Sequence, residues 1–479
     1  MGGIKKLLLC LLAALTVLTV TVLGNGVVNA GTPQDKKPAQ PLTKEQLDRW
    51  DAPDRDYLEF YGLSVFKTTL PVIYINTQGQ KIGKENKIEC SIALGVDDGK
   101  LHSIEAMPQA VYRASINYRG ASSYSRLDKK QYRIKFLKDN SDKARNVALC
   151  GMGKNSEWVL NGPYLDKTLV RNKLIYDLAR EMGQWAPDSR FCELFVDGEY
   201  QGVYVAIEPV TNGDSRLRLS KFGLVSGKTP YLVERNRDSL VDKALVTYGK
   251  EKGYTSHSMY IDYPTSSKLT ERQEQYIQQD ISDFERVLYS EKFLDEHTGY
   301  RNYIDMDSWV DYFIINEFAM IRDAGNQSTY AYKRMEGKLQ LACWDFNNGF
   351  DNYPEYILDG TGFETINNSW MDRVSQDPVF IDRVVERYRQ LRETTLSQEH
   401  IDELLKSYQD QLGEAIDRNF QIWGSSFTEH ILVGTRADGS TRDITSYEAA
   451  LEQLNTMIQK RLEFLDGHFT DLYERTEGR

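Results

Sequence analysis

The chain has 479 residues, too long for one small domain and enough for two or three packed layers. Apolar residues make up 41% and charged residues 27%, an ordinary globular balance. The net charge of −11 argues against nucleic acid as the main partner, since phosphate backbones need clustered Lys and Arg, but it leaves room for an anionic ligand in a local basic pocket.

The chain opens on a short basic stretch, MGGIKK, and an apolar run, LLLCLLAALTVLTVTVLG. VVNA follows with small residues suited to cleavage after Ala30, so residues 1–30 read as a signal peptide; an uncleaved membrane anchor is the alternative. Either way residues 31–479 are expected outside, as a secreted or cell-surface protein with no stable membrane span once the leader is removed. Residues 31–69 read as a linker and extension, Pro- and Lys-rich at first. Cys10 leaves with the leader. Cys90, Cys150, Cys192 and Cys343 remain, and two disulfides or buried free thiols are equally open. No CxxC or Cys/His cluster suggests zinc.

Residues 70–115 alternate and are β-branched, so antiparallel strands are expected there. Residues 114–136, ASINYRGASSYSRLDKKQYRIKF, read as strand, polar turn, strand. The stretch 164–183 reads as a helix capped by Asp166, with Val170, Leu174, Leu178 and Met182 on one face and Gly183 at its end. Asp197-Gly198 marks a hairpin turn. Residues 268–320 return to helix, two strands lie within 328–343, and the chain is helical from 371 onward. The expectation is an α+β fold: a β-rich lobe over 70–210, a mostly helical lobe over 211–479, and a cleft between them.

Three stretches carry candidate chemistry. RGASSYS (119–125) is either a polar hairpin turn or a cradle for phosphate oxygens built from N–H groups and hydroxyls. The strand after it places Lys129, Gln131, Arg133 and Lys135 on one face, as a solvated surface or a phosphate grip. IRDAGNQS and CWDFNNGF then place Asp323 past a helix end and Asp345 past a strand end. Both are turn caps, or Asp323 takes a proton from a hydroxyl and Asp345 holds a hard cation through oxygen. Protein kinases arrange such parts as HRDxxxxN and DFG; here Ile replaces the His, Ser the Asn, and Asn the Gly.

Taken together, RGASSYSRLDKKQYRIKF, EWVLNGPYLDKTLVRNKL, LFVDGEYQGVYVAIEPV, NEFAMIRDAGNQSTYAYK and CWDFNNGF resemble the spore-coat protein H (CotH) kinase family, over most of residues 70–475. The resemblance implies an atypical protein-kinase-like, two-lobed fold and ATP- and Mg²⁺-dependent (or Mn²⁺-dependent) phosphorylation of Ser or Thr in a protein acceptor. It implies Arg119, Gly120, Ser122 and Ser123 over the phosphates and Lys135 holding them. Arg171 and Asn172 fall in the family's helix motif facing the cleft, and Glu208 is expected near the nucleotide base. Asp323 is implied as the catalytic carboxylate, and Asp345 with Asn347 as metal ligands. Asn347 stands where the family often has a second Asp, which removes a charge and affects metal choice. Adenylylation on the same groups, or a non-catalytic surface-binding module, are the alternatives.

Overall fold

Period-two alternation of apolar residues dictates the first layer of the computed structural model. The structure describes residues 43–220, 227–237, 244–432, 434–442 and 444–476. The leader and the first part of the linker lie outside the described residues. The strands of this layer are β1 (Lys67–Thr68), β2 (Val72–Asn76), β3 (Ile88–Leu94), β4 (His102–Ser103), β5 (Ala110–Arg119), β6 (Gln131–Lys138), β7 (Ser141–Ala144), β8 (Glu157–Asn161), β9 (Ser189–Val196) and β10 (Glu199–Ile207). β1 and β4 form a separate ribbon. The others run in the order β5-β3-β2-β9-β10-β8-β6-β7, and β5 also pairs with β6, so the sheet closes into a barrel. Closure removes the open edges that a flat sheet would expose. All pairs are antiparallel except β2 with β9.

Alternate residues fill the barrel: Ile92, Ile116, Ile134, Phe136, Trp158, Leu160 and Leu194 are buried in one cluster. Each such side chain contributes roughly 1.5–3 kcal/mol by leaving water. The opposite parity puts Gln131, Arg133 and Lys135 of β6 on the outside. Arg119 stands beside Gln131, and Lys135 beside Glu157, by register.

The helix expected from Asp166 spans Arg171–Glu181 instead. Leu169 has φ +68, which L side chains adopt in turns and not in helices, so the helix cannot start earlier. Asp166 still serves its start, because the Arg171 N–H donates to its carboxylate at 2.8 Å. The predicted apolar face is buried, and Gly183 follows the end.

The second half is mostly helical but holds a sheet that the sequence reading captured only in part. β13 (Thr329–Lys333) and β14 (Leu339–Ala342) are the expected pair. β11 (Tyr231–Asn236) and β12 (Ser258–Tyr263) join them in the order β12-β11-β13-β14. The expected helical return over 268–320 is two helices, Glu271–Leu288 and Met306–Ala319, with Asp305 capping the second. Helices Pro378–Arg392, Gln398–Leu412, Ala415–Trp423 and Tyr447–His468 follow. Among the described residues no helix is long and apolar enough to cross a membrane.

Helix Met306–Ala319 is apolar nearly all round, the mark of a fully buried helix. One core runs from the outer barrel face (Val159, Val205, Ile207) through this helix to Leu454 and Leu465 near the C-terminus. The fold is α+β, β-rich first and helical second, as expected. Residues of both halves share that core.

Within it Glu317 is buried, and its carboxylate accepts from the N–H groups of Glu364 (3.0 Å), Thr365 (2.7 Å) and Ile366 (3.2 Å) and from Arg461 (3.0 Å). Burial pushes the Glu317 carboxyl up and the Arg461 guanidinium down, so desolvation outweighs their attraction. Such a pair adds little net stability but is costly to break. Glu317→Ala is expected to lose about 3–5 kcal/mol in denaturant unfolding. A loss below about 1 kcal/mol, the size of an exposed pair, would contradict this assignment.

Candidate active site

Helix Met306–Ala319 ends where Met320 turns left-handed, at φ +56, and the chain reverses into the loop 321–328. That loop is pinned through its backbone. Asn368 Nδ2 donates to the carbonyls of Arg322 (2.8 Å) and Ala324 (2.7 Å), and Asn326 Nδ2 donates to Asn368 Oδ1 (2.7 Å). Buried Arg235 donates to the Gly325 carbonyl at 3.0 Å. The Asp323 N–H donates to Tyr353 Oη at 3.3 Å. The backbone of Asp323 is thus fixed, while among the described residues no hydrogen bond to its carboxylate is made. Burial and then the charge of Asp345 push that carboxyl up to about 6, with Arg237 and Arg322 acting the other way.

Asp345 leaves β14 on the segment Trp344–Phe350 and has φ +66, strained for a residue other than glycine. Helix Arg171–Glu181 supplies what holds it there. The Asp345 N–H donates to Tyr176 Oη (3.1 Å), and the Phe346 N–H donates to Asn172 Oδ1 (2.8 Å). Arg171 Nε donates to the Gly349 carbonyl (3.0 Å). Residues 172 and 176 are four apart, so both face this segment from one side of the helix. The Ser328 hydroxyl donates to Asp345 Oδ2 at 3.3 Å.

Asp345 touches solvent, yet burial is the main cause raising its carboxyl, and Arg119 and Ser328 offset part of the rise. A group that meets water from the floor of a cleft, ringed by protein, behaves in this way. The cleft has a cationic wall on the outer barrel face. Arg119 lies over the Trp344 ring (5.2 Å to its centroid) beside Asp345. Lys135 donates to Glu157 at 2.9 Å, and Arg133 donates to the same carboxylate at 3.1 Å. The facing wall is acidic. Glu234 of β11 is raised by burial, and Asp262 of β12 is pushed up to about 8 by burial and then by Glu234. Asp262 is the extra residue of a bulge, since Leu232 pairs with Tyr263 and Val233 with Ile261. Bulges re-aim side chains in this manner.

The RGASS stretch forms a turn and a short helix, Ser122–Arg126. Gly120 has φ +91, and a Cβ there would stand 2.1 Å from Ser123 Oγ, so only glycine fits. Ser123, Gln131, Asn172 and Asn347 line one small cavity beside this turn, while Ser122 faces solvent. Arg119 therefore stands by Asp345, and Asp345 by Asp323, while Ser123 and Asn347 line the small cavity next to the Gly120 turn; Lys135 meets Glu157 four residues along β6 from Gln131, and among the described residues it contacts neither aspartate. Arg171 and Glu208 do not present free side chains to the cleft. Arg171 is fully buried and bound to Asp166 at 2.5 Å, with Nη2 alone lacking a partner among the described residues. Glu208 is buried, accepts from the Asp188 N–H at 3.3 Å and stands 3.9 Å from Arg216. Sequence reasoning missed Tyr176, Glu234, Asp262, Tyr353 and Asn368. Only Tyr176 left a signal, its spacing from Asn172.

A divalent cation fits this donor set in one way. Among the described residues no group of three or more His, Cys, Asp or Glu could hold a metal by itself. Asp345 offers one carboxylate and Asn347 one amide oxygen, its Nδ2 being engaged with Asn348 at 2.8 Å. That suits a cation which takes its remaining ligands from water and a phosphate-bearing substrate, as Mg²⁺ commonly does.

The family model described as CotH kinase protein matches residues 116–465. Inner spore coat protein H of Bacillus subtilis (strain 168) is 25% identical over 253 residues, which cover 52% of this chain and 62% of that relative. The chain thus matches less than two thirds of the relative's length.

Because the Asp323 carboxyl is raised from 3.8 to about 6, its ionised form costs stability. The cost is absent below about pH 4, grows as the pH rises through about 6 and is full above it. Asp323→Asn is expected to raise unfolding free energy at about pH 8 by on the order of 1–2 kcal/mol, allowing for partial exposure, and to give no gain at about pH 4. Paired melting curves at both pH values check this; a variant less stable at the higher pH would make Asp323 a turn-building residue.

Proposed function

The chain belongs to the CotH kinase family, and from that premise we propose that it transfers the γ-phosphate of ATP to a Ser or Thr hydroxyl of a protein acceptor. The observation that supports this reading is that Asp323 and Asp345 lie near enough for the charge of Asp345 to raise the Asp323 carboxyl, with Arg119 beside Asp345. Phosphoryl transfer asks the protein mainly to position groups and to offset charge.

In this reading Asp345 and Asn347 would hold Mg²⁺ or Mn²⁺, which supplies charge neutralisation for the triphosphate when bound. Lys135, oriented by Glu157, and Arg119 offer charge to the phosphate oxygens. The Gly120 turn lets the chain approach them closely. Asp323 orients the acceptor hydroxyl and accepts its proton as the oxygen bonds to the γ-phosphorus and the bond to the β-phosphate oxygen breaks, releasing ADP. Arg171, Asn172 and Tyr176 act through the backbone of residues 345–349, and Asn368 through that of 322–324. The basic and apolar start of the sequence supports export of the chain to the cell surface.

Incubation of the protein with ATP labelled on the γ-phosphate or on the adenine tests the reading. The γ label is expected on protein. Transfer of the adenine label would point to adenylylation, and no transfer with no bound nucleotide to a binding module. Asp323→Ala is expected to cut transfer by about 10²–10⁴-fold while nucleotide still binds. Asp345→Ala is expected to abolish metal-dependent nucleotide binding in thermal-shift measurements. Lys135→Ala is expected to weaken nucleotide binding by about 1.5–3 kcal/mol in calorimetry. Normal binding and transfer in both aspartate variants would refute the kinase reading.

A further inference from the structure

An open cavity of about 430 Å³ lies where helix Arg171–Glu181 ends, helix Met306–Ala319 begins and the β13–β14 hairpin turns. Arg180 and Trp185 line it from the first, Asp311 from the second, and Arg334 and Gln340 from the third. The opposite ends of the same three elements serve the aspartates. Met320 leads to Asp323, Ala342 leads to Asp345, and Asn172 and Tyr176 hold the backbone at Phe346 and Asp345. The 14 residues of helix Met306–Ala319 span about 20 Å at 1.5 Å per residue, so this cavity is distinct from the cleft of Asp323 and Asp345.

The groups around it differ in how far they are engaged. Gln184 is buried and donates to the Leu341 carbonyl at 2.7 Å. Asp305 accepts from the Ser308 N–H at 3.1 Å and from Gln340 at 2.9 Å. Asp307 accepts from Arg383 at 2.7 Å, and Asp311 from Arg387 at 2.8 Å. The acids are thus each bound to a donor of the protein. The two cations of the lining are not neutralised in return. Arg180 donates to the Ala186 carbonyl at 3.3 Å. Arg334 donates to the Gln340 side chain and, at 3.3 Å, to the Leu217 carbonyl, and lies 5.3 Å from the centroid of the Tyr332 ring. Both arginines are exposed, and among the described residues neither forms an ion pair. Each guanidinium has five N–H donors, so both keep some to spare.

From these two uncompensated guanidinium groups in one cavity we propose a second binding site, for a small organic anion whose carboxylate or phosphate group is held by Arg180 and Arg334 and whose apolar body lies against Trp185. Planar guanidinium donors match the oxygens of such groups, and the volume is that of a small-molecule site. A cation would find carboxylates whose oxygens are already in use, beside two unpaired positive charges. No His or Cys lines the cavity, and its acids are engaged, so it binds its ligand without reacting with it. The site asks nothing of phosphoryl transfer and stands independently of that reading.

Titration calorimetry of the full chain with benzoate and with phenyl phosphate tests this, with benzylamine as the cationic counterpart. At least one anion is expected to bind at a single saturable site, and which of the two binds identifies the recognised group; benzylamine is expected to give no binding. Arg180→Gln and Arg334→Gln should each weaken anion binding by about tenfold or more, and together abolish it. Both side chains are exposed, so melting curves should show the fold intact in these variants. Asp345→Ala, which alters the other cleft, should bind the anion as the unaltered chain does. Failure of both anions to bind at millimolar concentration, equal binding of benzylamine, undiminished binding in the doubly substituted chain, or loss of binding in Asp345→Ala would each overturn the proposal.

Discussion

A single buried carboxylate, that of Glu317, ties the candidate catalytic loop to the C-terminal helix. It stands on the last turn of the central helix and gathers three consecutive backbone N–H groups, of residues 364 to 366, together with Arg461. Arg461 also donates to the Glu317 carbonyl at 2.7 Å, so it grips both the side chain and the backbone of the helix end. Two residues past the gathered segment, Asn368 clasps the carbonyls on either side of Asp323. Asp323 is therefore placed by a relay from a helix far along the chain, through a carboxylate and an amide. Apolar packing brings the same helices together but is non-directional. It cannot fix a loop to the precision that a reacting group needs.

A parallel relay fixes Asp345. Its strained φ persists because Tyr176, Asn172 and Arg171 each hold one backbone group of the segment around it. The two aspartates thus approach one another from different anchors; burial raises both carboxyls, and the charge of Asp345 raises that of Asp323 further. Cations on the opposite wall only partly offset this. A site built so costs the fold stability, a cost that recurs wherever function and packing compete. Like charges facing one another across a cleft make sense when something between them is to be bound.

Much of the architecture was legible. Asp197-Gly198 at the tip of β9 and β10 has φ +50 and +82, the signature that such a turn demands, and the alternation of β6 assigns its inside and outside correctly. Helix Arg171–Glu181 was legible in its buried face but not in its start, because the left-handed turn at Leu169 is a tertiary choice that no propensity encodes. β11 and β12 were not legible. They are short, separated by a long connection, and buried by neighbours distant in sequence, so their pattern carries little local signal. Missing them hid Glu234 and Asp262, and with them the acidic wall. Closure of the barrel was hidden for a like reason, since the β5–β6 pairing is visible in sequence but the ring it completes is not.

Charged groups inside the helix motif are turned inward by the fold. Arg171 is invisible to solvent and spends its charge on Asp166, so a role as an open phosphate contact does not follow from its place in the motif. The same solution recurs where other loops join the core: Arg235 with Glu285 beneath Gly325, and Arg436 and Arg442 with Asp351 beyond Phe350. In each case a buried arginine reaches a carboxylate and, through its remaining N–H groups or a neighbour, a backbone carbonyl. Planar guanidinium groups do this well because their donors are fixed in direction. A motif arginine in this fold is thus as readily a fastener for a reactive loop as a contact for the substrate, and burial distinguishes the two where sequence cannot. By that criterion Arg171 fastens the segment that carries Asp345, whereas Arg119, only partly buried over the Trp344 ring, and Lys135, partly exposed beside Glu157, keep part of their charge toward solvent.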